Sequence, residues 1–585
     1  MRSKRLTFAV LAVVMLFGLV LRLHNLDFGM ELPYLAHTDE PTQYNPAVHI
    51  IKTGDLNPHF FRYPSLPIYL YTAVLSAGYA VGRLLGAFSS LADVQPIRIL
   101  QMSVALVGTP QLLLLGRATS AVLGTLTIGF VFLLARQLTR RTARQQWTSI
   151  LSVLLLAVSR AHVRLSHYMA VDVMATFFAV ACVTACTLAL AKRRTGLLWV
   201  AALCGGLATS CKYNYALLAI PVALACWLDP AARWAGKIRR TLAGGLLFGL
   251  AFALTSPYVL LDARVAWEDI RAELRHYAEG HLGITGSSAV WYVGYLWSVN
   301  PFYLLLGVPG LALAVQRGKR AAVPLVAFTV LYFWLIGRQA VHFDRNVLPV
   351  MVLLIVAAGV AVDALLSWLL RASSERAPAP VPGASPAPTW RRAISSFMAN
   401  RAHRNSLATA GLLLIPLLPS LWMLPDLLYP PRPSGKALAQ AWFDRALETP
   451  EGRRYLSALG SRPLRIMAEA YTVYLDPDEV DVHYVDTVTW VEREAGGTIA
   501  GPADLVALGY DVVLLGSGMY QRFYETPDIY AAQVAVYDAF FEGVPDALAF
   551  EQDDDRLAFR GQGMRVNALF LTDRARQFLA EEGLP

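Results

Sequence analysis

Apolar runs long enough to cross a bilayer recur along this chain, separated by short polar connections, and that pattern excludes a single soluble globule. The first covers residues 6–23. Further spans are expected at 117–138, 147–162, 173–191, 196–211, 213–229, 241–260, 294–316, 321–337, 344–370 and 407–428, which makes about eleven. The expected fold class is therefore an α-helical polytopic membrane protein. Charged residues make up only 16% of the 585 residues, and 56% are hydrophobic. The net charge of +9 does not signal nucleic acid, because the basic residues fall in short clusters between the apolar runs.

Those clusters set an expected orientation. With the N-terminus in the cytoplasm, residues 136–144, 192–194, 233–240, 317–320 and 371–404 all lie inside, as the positive-inside rule requires. Met1-Arg2-Ser3-Lys4-Arg5 and the run after it could open a secretory signal, but no small-residue cleavage site follows and an uncleaved anchor is expected. Residues 65–86 are apolar enough to cross, yet one crossing there would invert every later cluster. The segment is expected to lie along or dip into the outer leaflet.

Three regions result: a membrane part at 1–428 with an external loop at 24–116, a cytoplasmic Pro/Ala-rich linker at 372–405 within it, and a soluble extracytoplasmic domain at 429–585. In the last, residues 464–468, 480–485 and 511–515 read as short buried strands, and 437–448 and 504–508 as helices. A small α/β layer is expected. Gly516-Ser517-Gly518 reads as a glycine turn. The five cysteines lie in the spans or at their ends and show no paired metal spacing.

Polar chemistry gathers on the external side. Asp39 and Glu40 open a helix expected to end at Thr53-Gly54, with Thr38 or Asp39 as its cap and Pro46 inside it. Successive helical residues diverge by about 100°, so one carboxylate can act as a base while its neighbour anchors. Arg160, His162, Arg164, His167 and Asp172 form a second cluster near hydrocarbon, where such residues are costly unless paired or used. It could hold phosphate, and His162, His167 and Asp172 could instead hold a metal, although their spacing matches no metal motif. Arg62 and Tyr63, Lys212 and Tyr213, and His342 and Arg345 add further polar groups at membrane depth.

The order of these pieces resembles the dolichyl-phosphate-mannose protein mannosyltransferase-like family of bacterial membrane glycosyltransferases, which shares the C-type glycosyltransferase fold with the lipid A aminoarabinose transferase. The matching residues are Thr38-Asp39-Glu40-Pro41, Gly54-Asp55, Arg62-Tyr63-Pro64-Ser65-Leu66, Arg117, residues 159–172, Lys212-Tyr213-Asn214, Arg345 and Leu348-Pro349. Tyr510-Asp511-Val512-Val513, Ser517, Tyr520 and Arg522-Phe523 add a likeness in the last domain. The resemblance implies an inverting enzyme of the bacterial inner membrane that moves a sugar from a polyprenyl-phosphate donor to a protein, lipid or glycan hydroxyl.

It further implies catalytic roles for Asp39, with Glu40 beside it, and for Asp172. Donor-binding roles fall to Arg62, Tyr63, Arg164, His167, Lys212, Tyr213, His342 and Arg345. No metal ligand is assigned, and a divalent cation is compatible with the chemistry. One base suffices, because the leaving phosphate has a second pKa of about 6 and departs unprotonated. Cleavage of an ordinary glycosidic bond needs an acid as well. A transporter or a lipid-binding assembly protein is the alternative, although transporters tend to show repeated halves and charges at mid-bilayer.

Overall fold

The computed structural model describes residues 2–28, 37, 39–101, 104–139, 145–375, 410–424, 435–448, 464–470, 472–475, 480–493, 496–544, 547–550, 565–573 and 575. Among them, six helices are long and apolar enough to cross a membrane: Arg5–Leu23, Pro110–Leu138, Val171–Lys192, Trp234–Thr255, Arg320–Gly337 and Asp344–Leu369. The chain is a polytopic helical membrane protein with a separate C-terminal sheet domain.

The remaining expected spans are also helical but shorter or broken in the described residues, and of 407–428 only 410–424 are described. Residues 294–316 form two helices, Ser288–Val299 and Phe302–Gly318, bent by 109°. The bend falls at Asn300-Pro301, where proline removes a backbone donor and Asn300 Oδ1 accepts the Phe302 N–H at 3.0 Å. The expected span at 147–162 stops at Ala157 and resumes as a separate helix, Arg160–Leu165, because Ser159 is extended. Residues 213–229 start as a 3-10 turn, Tyr213–Leu218, before Ala219–Leu228. The span expected from 117 begins earlier, at Pro110, where the proline suits a first helical turn. The helix Leu348–Glu375 runs into the expected linker, and residues 376–405 lie outside the described residues.

Burial ranks the helices. The most apolar windows of Asp344–Leu369 and Val171–Lys192 are 83% and 78% buried, against 11% for Trp234–Thr255, so the first two are central and the last is peripheral. Small residues permit close approach at the centre: a Cβ on Gly310 would lie 2.0 Å from the Ala357 carbonyl oxygen.

The loop between the first two long helices folds into two helices, Pro41–Thr53 and Leu66–Leu84, and a hairpin of β1 (Ile97–Gln101) and β2 (Val104–Val107). The first helix ends as its sequence dictates, with Gly54 in the left-handed conformation (φ 74°) donating its N–H to the Ile50 carbonyl. Asn45 fastens this helix to β1: its amide donates to the Ile97 carbonyl at 2.9 Å and accepts the Ile97 N–H at 2.8 Å.

In the C-terminal domain the strands β3 (Arg465–Glu469), β4 (Asp481–Val485) and β5 (Val512–Gly516) are parallel, while β6 (Ala547–Phe550) and β7 (Val566–Phe570) add an antiparallel edge in the order β4-β3-β5-β7-β6. β5 and β7 are buried on both faces and read as apolar runs. The glycine turn expected at 516–518 is a strand-to-helix junction instead. Gly516 has φ −99° and precedes the helix Ser517–Tyr524.

This domain packs against the loop around Leu282 and Gly283. Leu282 packs against its core, and Gly283, at φ +77°, lies so close to Arg522 that a Cβ would meet the Arg522 Cβ at 2.6 Å. His281 beside it contacts Phe343, two residues before Arg345, with ring centroids 5.5 Å apart.

Candidate active site

Glu40, rather than Thr38 or Asp39, occupies the cap position of Pro41–Thr53, and its side chain makes no cap hydrogen bond. Thr38 lies outside the described residues. Both Glu40 oxygens are turned to Arg117, which donates from Nε and Nη2 at 2.8 Å each, and Oε1 also accepts the Met169 N–H at 3.0 Å. Arg117 Nη1 donates to the Leu26 and Phe28 carbonyls at 2.6 and 2.9 Å. Both side chains are fully buried. A bidentate buried pair of this kind fixes geometry, so Glu40 ties the start of the helix Pro41–Thr53 to the helix Pro110–Leu138.

Asp39 faces another way. Its Oδ2 lies 3.2 Å from Arg345 Nη2, its side chain keeps 24% of its accessible surface, and its backbone N–H donates to His37 Nδ1 at 3.2 Å. Burial would push this carboxyl up, but Arg345, His37 and Lys212 outweigh it and hold the group below the usual carboxylate range. Burial lowers the His37 imidazole in turn, against the pull of Asp39. Asp39 is therefore an ionised, partly accessible carboxylate.

A second ion pair adjoins it. Asp172, in the first turn of Val171–Lys192, accepts from Lys212 Nζ at 2.9 Å, and the same ammonium donates to Asn346 Oδ1 at 2.8 Å. Lys212 also lies 5.9 Å from the Tyr63 ring centroid. Arg345 and Asn346 are consecutive in the 3-10 turn Asp344–Val347, so one turn holds a partner of each ion pair. Burial raises the Tyr63 phenol and the neighbouring Glu273 carboxyl.

The structure thus brings Asp39, Asp172, Tyr63, Lys212 and Arg345 together. Arg164 pairs with Asp344, the first residue of the same turn. Tyr213 donates to the Phe61 carbonyl at 3.0 Å and holds the segment that carries Tyr63. Arg62 is exposed. His342 stacks on Trp291 at 4.6 Å and lies 3.2 Å from Ser288 Oγ.

His167 lies apart, its nitrogens facing the Val163 and His24 carbonyls at 2.8 and 3.0 Å. His162 Nδ1 meets the buried Arg22 at 3.0 Å. The metal set considered for His162, His167 and Asp172 therefore does not assemble: each side chain has a different partner. Asp39 and Asp172 each face a basic side chain that balances the charge a divalent cation would neutralise. Asn346 escaped the sequence reading because a lone asparagine carries no signal; its place after Asp344-Arg345 was the only clue.

With this geometry in place, comparisons with known proteins bear on the chain. The family model of dolichyl-phosphate-mannose-protein mannosyltransferases matches residues 99–260. This chain resembles that family. The matched stretch holds Arg117, Asp172 and Lys212 but neither Asp39 nor Arg345. No curated protein matches the sequence.

Among solved structures, similar chains include the archaeal oligosaccharyltransferase AglB from Archaeoglobus fulgidus in complex with an inhibitory peptide and a dolichol-phosphate, at 12% identity and TM-score 0.47, covering 92% of this chain and 71% of that one. ArnT from Cupriavidus metallidurans bound to undecaprenyl phosphate matches at 14% identity and TM-score 0.43, covering 98% of both chains. The S. cerevisiae protein O-mannosyltransferase Pmt1-Pmt2 complex bound to the sugar donor matches at 21% identity and TM-score 0.33, covering 44% of this chain and 34% of that one.

Proposed function

We propose that this protein is an inverting glycosyltransferase that moves a sugar, of hexose class, from a polyprenyl-phosphate donor to an acceptor hydroxyl at the outer face of a bacterial plasma membrane. The observation that carries the reading is the pairing of an ionised, partly accessible Asp39 with Arg345, beside the Asp172–Lys212 pair.

Asp39 takes the proton of the acceptor hydroxyl as that oxygen attacks the anomeric carbon. The bond to the donor phosphate breaks on the opposite face and configuration inverts. Lys212 and Arg345 hold the departing phosphate charge, with Tyr63 against its ester side. Asp172 acts through Lys212 and is a positioning residue. Arg164 orders the turn that carries Arg345 by pairing with Asp344, and Glu40 anchors the external segment.

In this arrangement the N-terminus is cytoplasmic, and the domain at 429–585 lies outside, over the loops that carry the site. The acceptor, whether protein, lipid or glycan, enters from that side. The lipid chain of the donor remains among the membrane helices and lipids.

The test is transfer of radiolabelled sugar from polyprenyl-phosphate donors by the purified full-length protein in lipid, with Asp39→Asn as control. Transfer by the parent and none by a folded Asp39→Asn supports the reading. Equal turnover by the variant removes Asp39 from the mechanism, and donor-independent substrate flux in vesicles favours the transporter reading.

A further inference from the structure

The helix that begins beside Asp39 ends in a cluster that the transfer chemistry does not use. His49 lies near its C-terminus, Asp55 follows the Gly54 stop, and His59 closes the next loop. Asp55 Oδ2 is 2.9 Å from His59 Nε2 and 3.9 Å from His49 Nε2, and one ligand atom from each residue falls within 4.8 Å of the others. We infer that His49, Asp55 and His59 form a binding site for a borderline transition-metal dication such as Zn²⁺, separate from the Asp39 site.

Three features support a ligand rather than a chance surface contact. Asp55 is aimed: its Oδ1 accepts the Asn57 N–H at 2.9 Å, leaving Oδ2 for both imidazoles. The loop is tied down by short polar links, with Thr53 Oγ1 accepting the Asp55 N–H at 3.1 Å and Asn57 Oδ1 accepting the His59 N–H at 3.1 Å. His59 also adopts φ +49°, a left-handed conformation uncommon for a non-glycine residue, while its ring meets Asp55.

Zinc–nitrogen and zinc–oxygen bonds of about 2.0–2.1 Å place tetrahedral donors roughly 3.3 Å apart. The two Asp55–imidazole separations bracket that value, and the ligand atoms of the two imidazoles lie within 4.8 Å of each other. Two imidazoles and one carboxylate suit Zn²⁺ over Mg²⁺ or Ca²⁺, which prefer oxygen ligands. The side chains keep 44%, 45% and 57% of their accessible surface, which leaves an entry path and a fourth position for water. Bound metal would staple the helix end to the segment leading to Tyr63.

The test uses the full-length protein in detergent at pH 7.5, on a tag without histidine, stripped with EDTA and titrated with Zn²⁺ against a chromophoric chelator, with metal content by mass spectrometry. The inference expects one Zn²⁺ per chain, at least about tenfold weaker binding in His49→Asn and His59→Asn, parent-like binding in Asp39→Asn, and no displacement by millimolar Mg²⁺. It is overturned if the stripped parent takes up no Zn²⁺, if His59→Asn binds like the parent, or if Asp39→Asn alone loses the ion. Monodisperse elution of the variants separates ligand loss from misfolding, and uptake by the parent decides the case where a variant does not fold.

Discussion

Asp39 and Glu40 are adjacent in the chain and face opposite surroundings: Asp39 meets Arg345 at 3.2 Å in a partly open site, while Glu40 is sealed against Arg117 with two 2.8 Å contacts. The roughly 100° turn between consecutive residues of a helix start separates them. Asp39→Asn should therefore lower transfer by about 10²–10⁴-fold with folding intact, read as initial rate on monodisperse protein. Glu40→Gln should act on the fold instead. It leaves a buried guanidinium poorly matched, a loss of up to about 3–5 kcal/mol, visible as reduced folded yield and thermal midpoint.

In the proposed mechanism, ionisation of Asp39 should set an acid limit on activity. Its carboxyl is held below the usual range by Arg345, His37 and Lys212 against burial, so the rate should stay flat through the ordinary carboxylate range near pH 3.9 and fall only below it. The stability sign agrees: a depressed carboxyl contributes stability above its unfolded pKa and loses it as pH falls through the folded value. Arg345→Met should move the acid limb upward, and a pH–rate profile checks this. An unmoved limb would mean that another group controls it.

Lys212 links Asp172 to Asn346. Lys212→Met should weaken donor binding, raising the donor KM by about tenfold or more, and should also leave Asp172 as an uncompensated buried charge. Combining it with Asp172→Asn should restore thermal stability without restoring donor affinity. Recovery of both would assign Lys212 a structural role only.

In the C-terminal domain, burial pushes the Glu469 carboxyl up to about 7 although Tyr537, Val488 and Gly516 all donate to it. Ionisation costs more in the folded state than in the unfolded one. Stability of the sheet should therefore decline as pH rises from about 4.5 to about 7 and level off above, by roughly 3 kcal/mol in total. Glu469→Gln should flatten that dependence, as measured by hydrogen exchange of β3 and β5 amides in the whole protein.

Gly283 allows the C-terminal domain to meet the loop beside the site. Gly283→Ala places a side chain in a positive-φ residue and against Arg522, costing about 1–3 kcal/mol at that contact. Faster hydrogen exchange around Leu282 and in the helix Ser517–Tyr524 is expected, with β3 and β5 unchanged.

Apolar length and periodicity were enough to locate the long apolar helices of the membrane part, because a bilayer or a helical core each demand long apolar runs, but not the polar helix Ala263–Glu279, which lies in a stretch that reads as a loop. They also located β3, β4, β5 and the helix end at Gly54, where local rules dominate. The antiparallel edge β6 and β7 was not legible; short apolar segments carry no register until a neighbour pairs with them. Within the site, the sequence identified Asp39, Asp172, Lys212 and Arg345 as costly charges near the membrane and left their partners undetermined.

Partnering was decided by the tertiary structure. Packing of Asp344–Leu369 against the other central helices puts Arg345 before Asp39 and Asn346 before Lys212, closes Arg117 on Glu40, and turns His162 and His167 away to Arg22 and backbone carbonyls. Burial makes unpaired charge expensive, so each ionic side chain takes the partner that folding delivers, and delivery depends on contacts between segments distant in the chain that no local pattern records.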